Sequence, residues 1–193
     1  MRKIAILISG NGTNMENLVR ECHNGRIPAE AALVISDTPA AKGLEKARNQ
    51  GVPAVLVNRK LSKDKASFEA EINRLLVESE IDLVALAGFM RILSSDFVRR
   101  WWGKLINIHP SLLPAFPGAD GIRDAFKAHV KETGVTVHFV DEGVDSGGMI
   151  LQKKVAVVPG ETLETLEAKI HAVEYEIYPE ALRLVLAGKA KPK

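Results

Sequence analysis

Cysteine is nearly missing from this chain: among 193 residues, Cys22 stands alone. A single thiol excludes a disulfide framework within the chain. No Cys-x-x-Cys pair or Cys/His ladder supplies zinc-type ligands either, so no metal is expected. Aromatic residues are scarce, at 5%, and long apolar runs are absent. The run at the start, Ile4 to Ser9, stops at Gly10. That is far short of the roughly 20 residues a membrane helix needs, and too short for a signal-peptide core. Neither sign of charge dominates, with 26 basic residues against 24 acidic ones scattered along the chain. Such a balance offers no field for a nucleic-acid partner. A cytoplasmic protein acting on small molecules is the expectation, with neither nucleic acid nor membrane as partner.

What is present suits one compact body. Apolar residues make up 46% of the chain and charged residues 26%, enough for a core and a solvated surface. Short apolar runs at 4–8, 32–35, 55–57 and 83–87 alternate with segments of helical periodicity. The first helix carries Leu18, Val19 and Cys22 on one face, and Thr13-x-x-Glu16 fits a capping box at its start. A second helix spans Ala40 to Gln50, and Phe68, Ile72, Leu75 and Leu76 mark a third. Unbroken apolar strands alternating with helices imply an α/β fold, a Rossmann-like, mostly parallel sheet flanked by helices. Right-handed crossovers then put ligand loops at the carboxyl ends of the strands.

Later residues change pattern. A strand at 105–109 runs into a proline-bounded loop, Pro110 to Pro114. Residues 135–141 alternate like a half-buried strand, and another strand covers 150–158. The last helical stretch starts near Thr162, and Pro179 is expected to kink it or to begin a second segment. A single domain over 1–193 is expected, with a change of pattern between residues 1–100 and 101–193. Monomer and homodimer both stay open.

Two places carry chemistry. Ser9-Gly10-Asn11-Gly12-Thr13-Asn14 joins the first strand to the first helix. Glycines at a helix start let a phosphate approach unpaired N–H groups. Met15 stands where a dinucleotide fingerprint has its third glycine, which favours a single phosphate, although an ordinary strand–helix turn reads the same way. Asp37, after the second strand, is the one feature resembling the ribose-binding acid of a dinucleotide enzyme. Asn107 and His109 lie two apart on a strand and point to one side. Asp145 sits in a glycine-rich loop able to fold against them. Such a trio can stabilise an oxyanion and orient an imidazole. Spacing alone is equally met by strand-end residues bonding to backbone. His138 reads as a structural histidine, and Trp101-Trp102 as packing of a helix end.

Five segments in register extend the reading: LISGNGTN at 7–14, LAGFMRIL at 86–93, INIHPSLLPAFPG at 106–118, TGVTVHFVDEGVDSGG at 133–148 and EYEIYP at 174–179. Together they resemble the folate-dependent glycinamide ribonucleotide formyltransferases, over nearly the whole chain. The resemblance implies a transfer of the formyl group of 10-formyltetrahydrofolate to the amine of phosphoribosylglycinamide in purine biosynthesis, by direct attack. It implies residues 1–100 as the phosphate-binding half and 101–193 as the catalytic and folate-binding half, with Asn107, His109 and Asp145 as catalytic residues. Gly12, Thr13 and Asn14 would hold the substrate phosphate, Glu174 the ribose hydroxyls, and His171 would approach the phosphate. Met90, Arg91, Ile92 and Leu93 would line the folate pocket. Asp141, Val144 and Asp145, with Asn107, would close it, and Lys65 would lie nearby. Two positions depart from the usual pattern: Asp120 replaces a histidine, and Gly148 a proline, which implies a looser loop around Asp145. Methionyl-tRNA formyltransferases and formyltetrahydrofolate deformylases share the Asn-x-His-Pro segment, but usually carry an extra domain that this sequence is not expected to have. A non-catalytic nucleotide-binding module is the remaining alternative.

Overall fold

The computed structural model describes residues 1–192. Seven strands form one sheet in the order β3-β2-β1-β4-β5-β6-β7. They are β1 (Arg2–Ile8), β2 (Ala29–Ser36), β3 (Ala54–Leu56), β4 (Leu83–Leu86), β5 (Leu105–His109), β6 (Glu132–Phe139) and β7 (Met149–Ala156). The first five pair in parallel, while β6 and β7 run antiparallel to their neighbours. Six helices flank the sheet: α1 (Thr13–His23), α2 (Lys42–Asn49), α3 (Lys65–Glu78), α4 (Ser95–Arg100), α5 (Gly121–Lys127) and α6 (Leu163–Leu186). None of the described helices is long and apolar enough to cross a membrane.

The unbroken apolar runs follow from burial on both faces. In β1, Ile4, Ile6 and Ile8 pack with Met15, Leu18 and Ile170 on one face, and Ala5 and Leu7 pack with Phe68, Ile72 and Phe97 on the other. Strand β2 changes parity part-way: Ala29 and Ala31 face the first core, Leu33 and Ile35 the second. The cause is a bulge, because Ile4 and Ala5 are partnered by Ala31 and Leu33, leaving Ala32 unpaired.

Three sequence expectations need correction. No capping box starts α1: its N-cap is Gly12, in the left-handed conformation and without a side-chain cap. Glu16 turns instead to Lys46, at 2.7 Å. Strand β6 is buried on both faces rather than half-buried. The proline-bounded loop covers its polar face, where Thr136 Oγ1 donates to the Ser111 carbonyl at 2.7 Å and accepts from Leu113 N–H at 3.1 Å. Finally, α6 continues through Pro179 as one 24-residue helix. Proline removes the N–H that would bond the Tyr175 carbonyl four residues back. The buried Asn17 side chain takes that place, donating Nδ2–H to Tyr175 O at 3.0 Å.

Order is reversed between β1 and β4: the chain leaves β1 for α1 on one face, and leaves β4 for α4 on the other. A crevice opens at their carboxyl ends, the usual ligand position in open α/β sheets. The glycine loop at this point is pressed against α2. A Cβ on Gly43 would lie 2.3 Å from Ile8 Cδ1 and 3.2 Å from both Gly10 O and Gly12 Cα. Overpacking of this kind typically costs about 1–3 kcal/mol. Gly43→Ala should therefore lower stability by about that amount in denaturant titration. Unchanged stability would mean the loop yields freely.

Candidate active site

A cleft of about 590 Å³ occupies the crevice. Gly12, Thr13, Asn14, His171 and Glu174 line one part; Met90, Arg91, Ile92, Leu93, Asp141 and Val144 line another; Asn107, His109 and Asp145 lie between. Of the residues that the resemblance assigns to catalysis or binding, Lys65 alone is outside the lining. It opens α3 and stands 4.0 Å from Glu69, which in turn accepts the Ser94 N–H at 2.7 Å. The boundary near residue 100 does not divide the cleft, since both halves of the chain contribute to each part of its wall.

The floor is built by β5 and its neighbours. Strand β5 points Asn107 and His109 to the same side, and β6 places His138 opposite Asn107 in register. In the core below, the Tyr178 hydroxyl meets the carbonyls of Leu86 and Ile106, at 2.8 and 3.3 Å, and ties β4 to β5. Burial pushes that phenol well above its ordinary pKa, so it stays a donor.

Asp145 reaches this floor from the loop after β6. The loop closes tightly at Gly147, where a Cβ would sit 1.8 Å from the Phe139 carbonyl oxygen, so a side chain is excluded. Gly148 is held through its carbonyl, which accepts the Phe139 N–H at 2.9 Å. Asp145 itself has φ of 53°, a left-handed backbone that aspartate tolerates better than most residues. Its carboxylate accepts the Gly118 N–H at 2.9 Å. Asn107 Nδ2 lies 3.4 Å away, His109 Nδ1 3.4 Å and His138 Nε2 3.5 Å. Those three contacts exceed ordinary hydrogen-bond lengths, so the Gly118 amide fixes the group and the side chains surround it. Burial pulls the Asp145 carboxyl upward, but the His138 and Gly118 bonds and the nearby imidazole charges outweigh it and hold it below the usual carboxylate value.

Sequence reasoning set His138 aside as structural, and the structure gives it a place in the cleft wall as well. Its Nδ1 faces the Phe139 carbonyl at 2.8 Å and therefore carries a proton. Nε2 is left to accept from Asn107 Nδ2 at 3.3 Å; a second proton would turn it toward Asp145. His109 is buried with one ring nitrogen at the Phe116 carbonyl, 2.7 Å, and the other at Asp145. The buried pair β5–β6 thus holds a carboxylate between two imidazoles. Its parity was legible in the sequence, since His138 alternates away from the core-facing Val135, Val137 and Phe139.

At the other end of the cleft, buried Glu174 accepts from Asn14 Nδ2 at 3.0 Å and pairs with His171 Nδ1 at 2.8 Å. That bond, opposed by burial and assisted by the charges of Glu174 and Glu167, raises the His171 pKa. Cys22 takes no part: burial lifts its thiol to about 12, and it lies outside the cleft. Asp120 caps the start of α5 without a side-chain bond and also stays outside.

Residues 2–182 match the family described as Formyl transferase. The chain belongs to this family. Phosphoribosylglycinamide formyltransferase of Bacillus subtilis is 44% identical over 96% of this chain and 95% of its own length. The trifunctional purine biosynthetic protein adenosine-3 of Bos taurus is 46% identical over 98% of this chain, which spans only 19% of that protein. Among solved structures, glycinamide ribonucleotide transformylase 1 of Geobacillus kaustophilus superposes with a TM-score of 0.93 at 49% identity, covering 96% of this chain and 99% of that one. Asp37, read from the sequence as resembling a dinucleotide acid, does not line the cleft. That carboxylate is 1% exposed and ion-paired to Arg91.

The sign of the Asp145 shift sets an acid limit. A depressed folded pKa stabilises above the unfolded value, about 3.9 for Asp, and the gain is lost as pH falls through the folded one. The unsubstituted chain should exceed Asp145→Asn in stability above about pH 4 and lose that lead at lower pH. A lead unchanged down to about pH 2 would contradict the carboxylate's charged, bonded state.

Proposed function

We propose that this chain transfers the formyl group of 10-formyltetrahydrofolate to the amine of N1-(5-phosphoribosyl)glycinamide, the formylation step of purine biosynthesis, on small diffusible substrates in the cytoplasm. The observation that carries the reading is the joint lining of one cleft by the glycine loop, the segment 90–93 and the Asn107–His109–Asp145 group.

Phosphate binds at Gly12, Thr13 and Asn14, where α1 presents free N–H groups and its positive dipole end. His171, favoured in its charged form by Glu174, adds a cation there. Glu174 takes the ribose hydroxyls. Met90 to Leu93 and Asp141 to Asp145 enclose the folate, whose apolar ring meets Met90, Ile92 and Val144. Lys65 stands further out and acts on the folate, if at all, through the Glu69–Ser94 link.

The amine attacks the formyl carbon, and the tetrahedral intermediate carries an oxyanion. Asn107 offers amide N–H groups to that oxygen, with His109 beside it. One such donor is typically worth about 2.7–4 kcal/mol, whereas correct juxtaposition of two reactants can supply about 7–11 kcal/mol. Positioning therefore outweighs any single donor, which suits a cleft with two well-formed ends. The amine's proton passes to the leaving folate nitrogen through the Asp145 cluster, where His138 Nε2, 3.5 Å from the carboxylate, can take up a proton. No nucleophilic side chain is needed.

A formyl-transfer assay comparing the ribonucleotide, water and aminoacylated tRNA as acceptors tests the reading. Transfer to the ribonucleotide is expected, with Asp145→Asn lowering turnover by about 10²–10⁴-fold and leaving the ribonucleotide KM almost unchanged. Preference for water or tRNA would replace this reading with a deformylase or a tRNA formyltransferase.

A further inference from the structure

We propose that Asp37 is a positioning residue for the donor: through Arg91, its buried carboxylate holds the segment Met90–Leu93 in the shape that grips the folate. The proposal rests on the donor-binding reading of that segment. Asp37 follows β2 and does not itself line the cleft, whereas Arg91 does.

Segment 90–93 has no secondary structure. Among the described residues, no hydrogen bond engages the backbone of Arg91, Ile92 or Leu93. Hydrophobic burial does not fix its tips either, because Met90 is 63% exposed and Ile92 71%. Leu93, at the far end, packs part-buried against the core, and the rest of the segment is positioned by tethers. At one end Met90 N–H donates to Ser9 Oγ at 2.8 Å. At the other, Ser94 donates both its N–H and its hydroxyl to Glu69. Between these ends, the one hydrogen-bonded tether is Arg91 Nε–H to Asp37 Oδ2, at 2.5 Å.

Asp37 is suited to this work. Its side chain is 1% exposed, so its charge is little screened, and Arg91 is its only cationic partner among the described residues. The other carboxylate oxygen accepts from Thr38 Oγ1 at 3.2 Å, which sets the carboxylate's orientation. Bonding at Nε also leaves the terminal nitrogens of Arg91 unengaged at the cleft edge. Losing the pair frees the middle of the segment while both ends stay tied, so donor affinity should suffer without damage to the catalytic floor.

The test uses the complete chain with Asp37→Asn, Arg91→Ala and both together, measuring kcat and both KM values. Donor binding by the unsubstituted chain is measured first; its absence overturns the functional reading and this proposal with it. With binding present, Asp37→Asn should raise the KM for 10-formyltetrahydrofolate about tenfold, the loss expected of one charge-assisted bond. The ribonucleotide KM and kcat at saturating donor should stay within about twofold. In the Arg91→Ala background, Asp37→Asn should add nothing. An equal rise in both KM values, an unmoved donor KM, or a full effect without Arg91 overturns the proposal and leaves the functional reading standing. Should Asp37→Asn fail to fold, Arg91→Lys at its half-exposed position keeps the charge and lacks the Nε–H. It should likewise raise the donor KM and lower the NMR order parameters of the backbone amides of Arg91 to Leu93; unchanged order parameters there overturn the proposal.

Discussion

Adjacent parallel strands β1 and β4 send the chain to opposite faces of the sheet, and a cleft opens at their carboxyl ends. That divergence is the constraint on which the rest of the molecule depends. The glycine loop leaves from one strand and the segment 87–94 from the other, so both line a single cleft. Main-chain bonds keep them in register: Ser9 N–H donates to Gly88 O at 3.1 Å, and Ser9 Oγ accepts from Met90 N–H. Strand β5 lies beside β4 and brings Asn107 and His109 to the same level.

A buried carboxylate is costly unless it is bonded and balanced, since desolvation disfavours the charged form. Asp145 meets that condition with one short backbone bond and three encircling nitrogens, on a backbone conformation that is itself unusual. Strain and buried charge at one residue are typical of sites whose geometry serves chemistry rather than stability. Asp37 contrasts with it. There the carboxylate is satisfied by one guanidinium, and its effect is exerted at a distance, on a segment with little other support. On the proposed reading the two aspartates divide the work: one would face the reacting atoms, the other would shape the wall that holds the donor.

Much of this was legible in the sequence because the signals are local. Unbroken apolar runs announced strands covered on both faces, and the alternation with helices announced a parallel sheet. The i, i+2 spacing of Asn107 and His109 put them on one side. What was not legible depended on partners far along the chain. Whether β6 was half-buried turned on the loop 110–115, which covers its polar face, and that same covering hid the place of His138. The continuation of α6 through Pro179 turned on Asn17, more than 150 residues away, supplying the missing donor. Gly43 falls within the predicted second helix, and nothing nearby in sequence reveals that the glycine loop rests on it. Asp37 resembled a cofactor acid until its partner, Arg91, was in view.

The central claim is spatial: a phosphorylated amine and a one-carbon donor meet above the buried aspartate, one from each side of the crevice. A crystal structure of the chain with the ribonucleotide and an unreactive folate donor analogue addresses it directly. The account places the phosphate at Gly12 to Asn14, the folate ring against Met90 to Leu93, and the amine within about 3–3.5 Å of the one-carbon position, over Asn107 and Asp145. A phosphate elsewhere, or a folate bound so that the two reacting groups cannot approach, would contradict it.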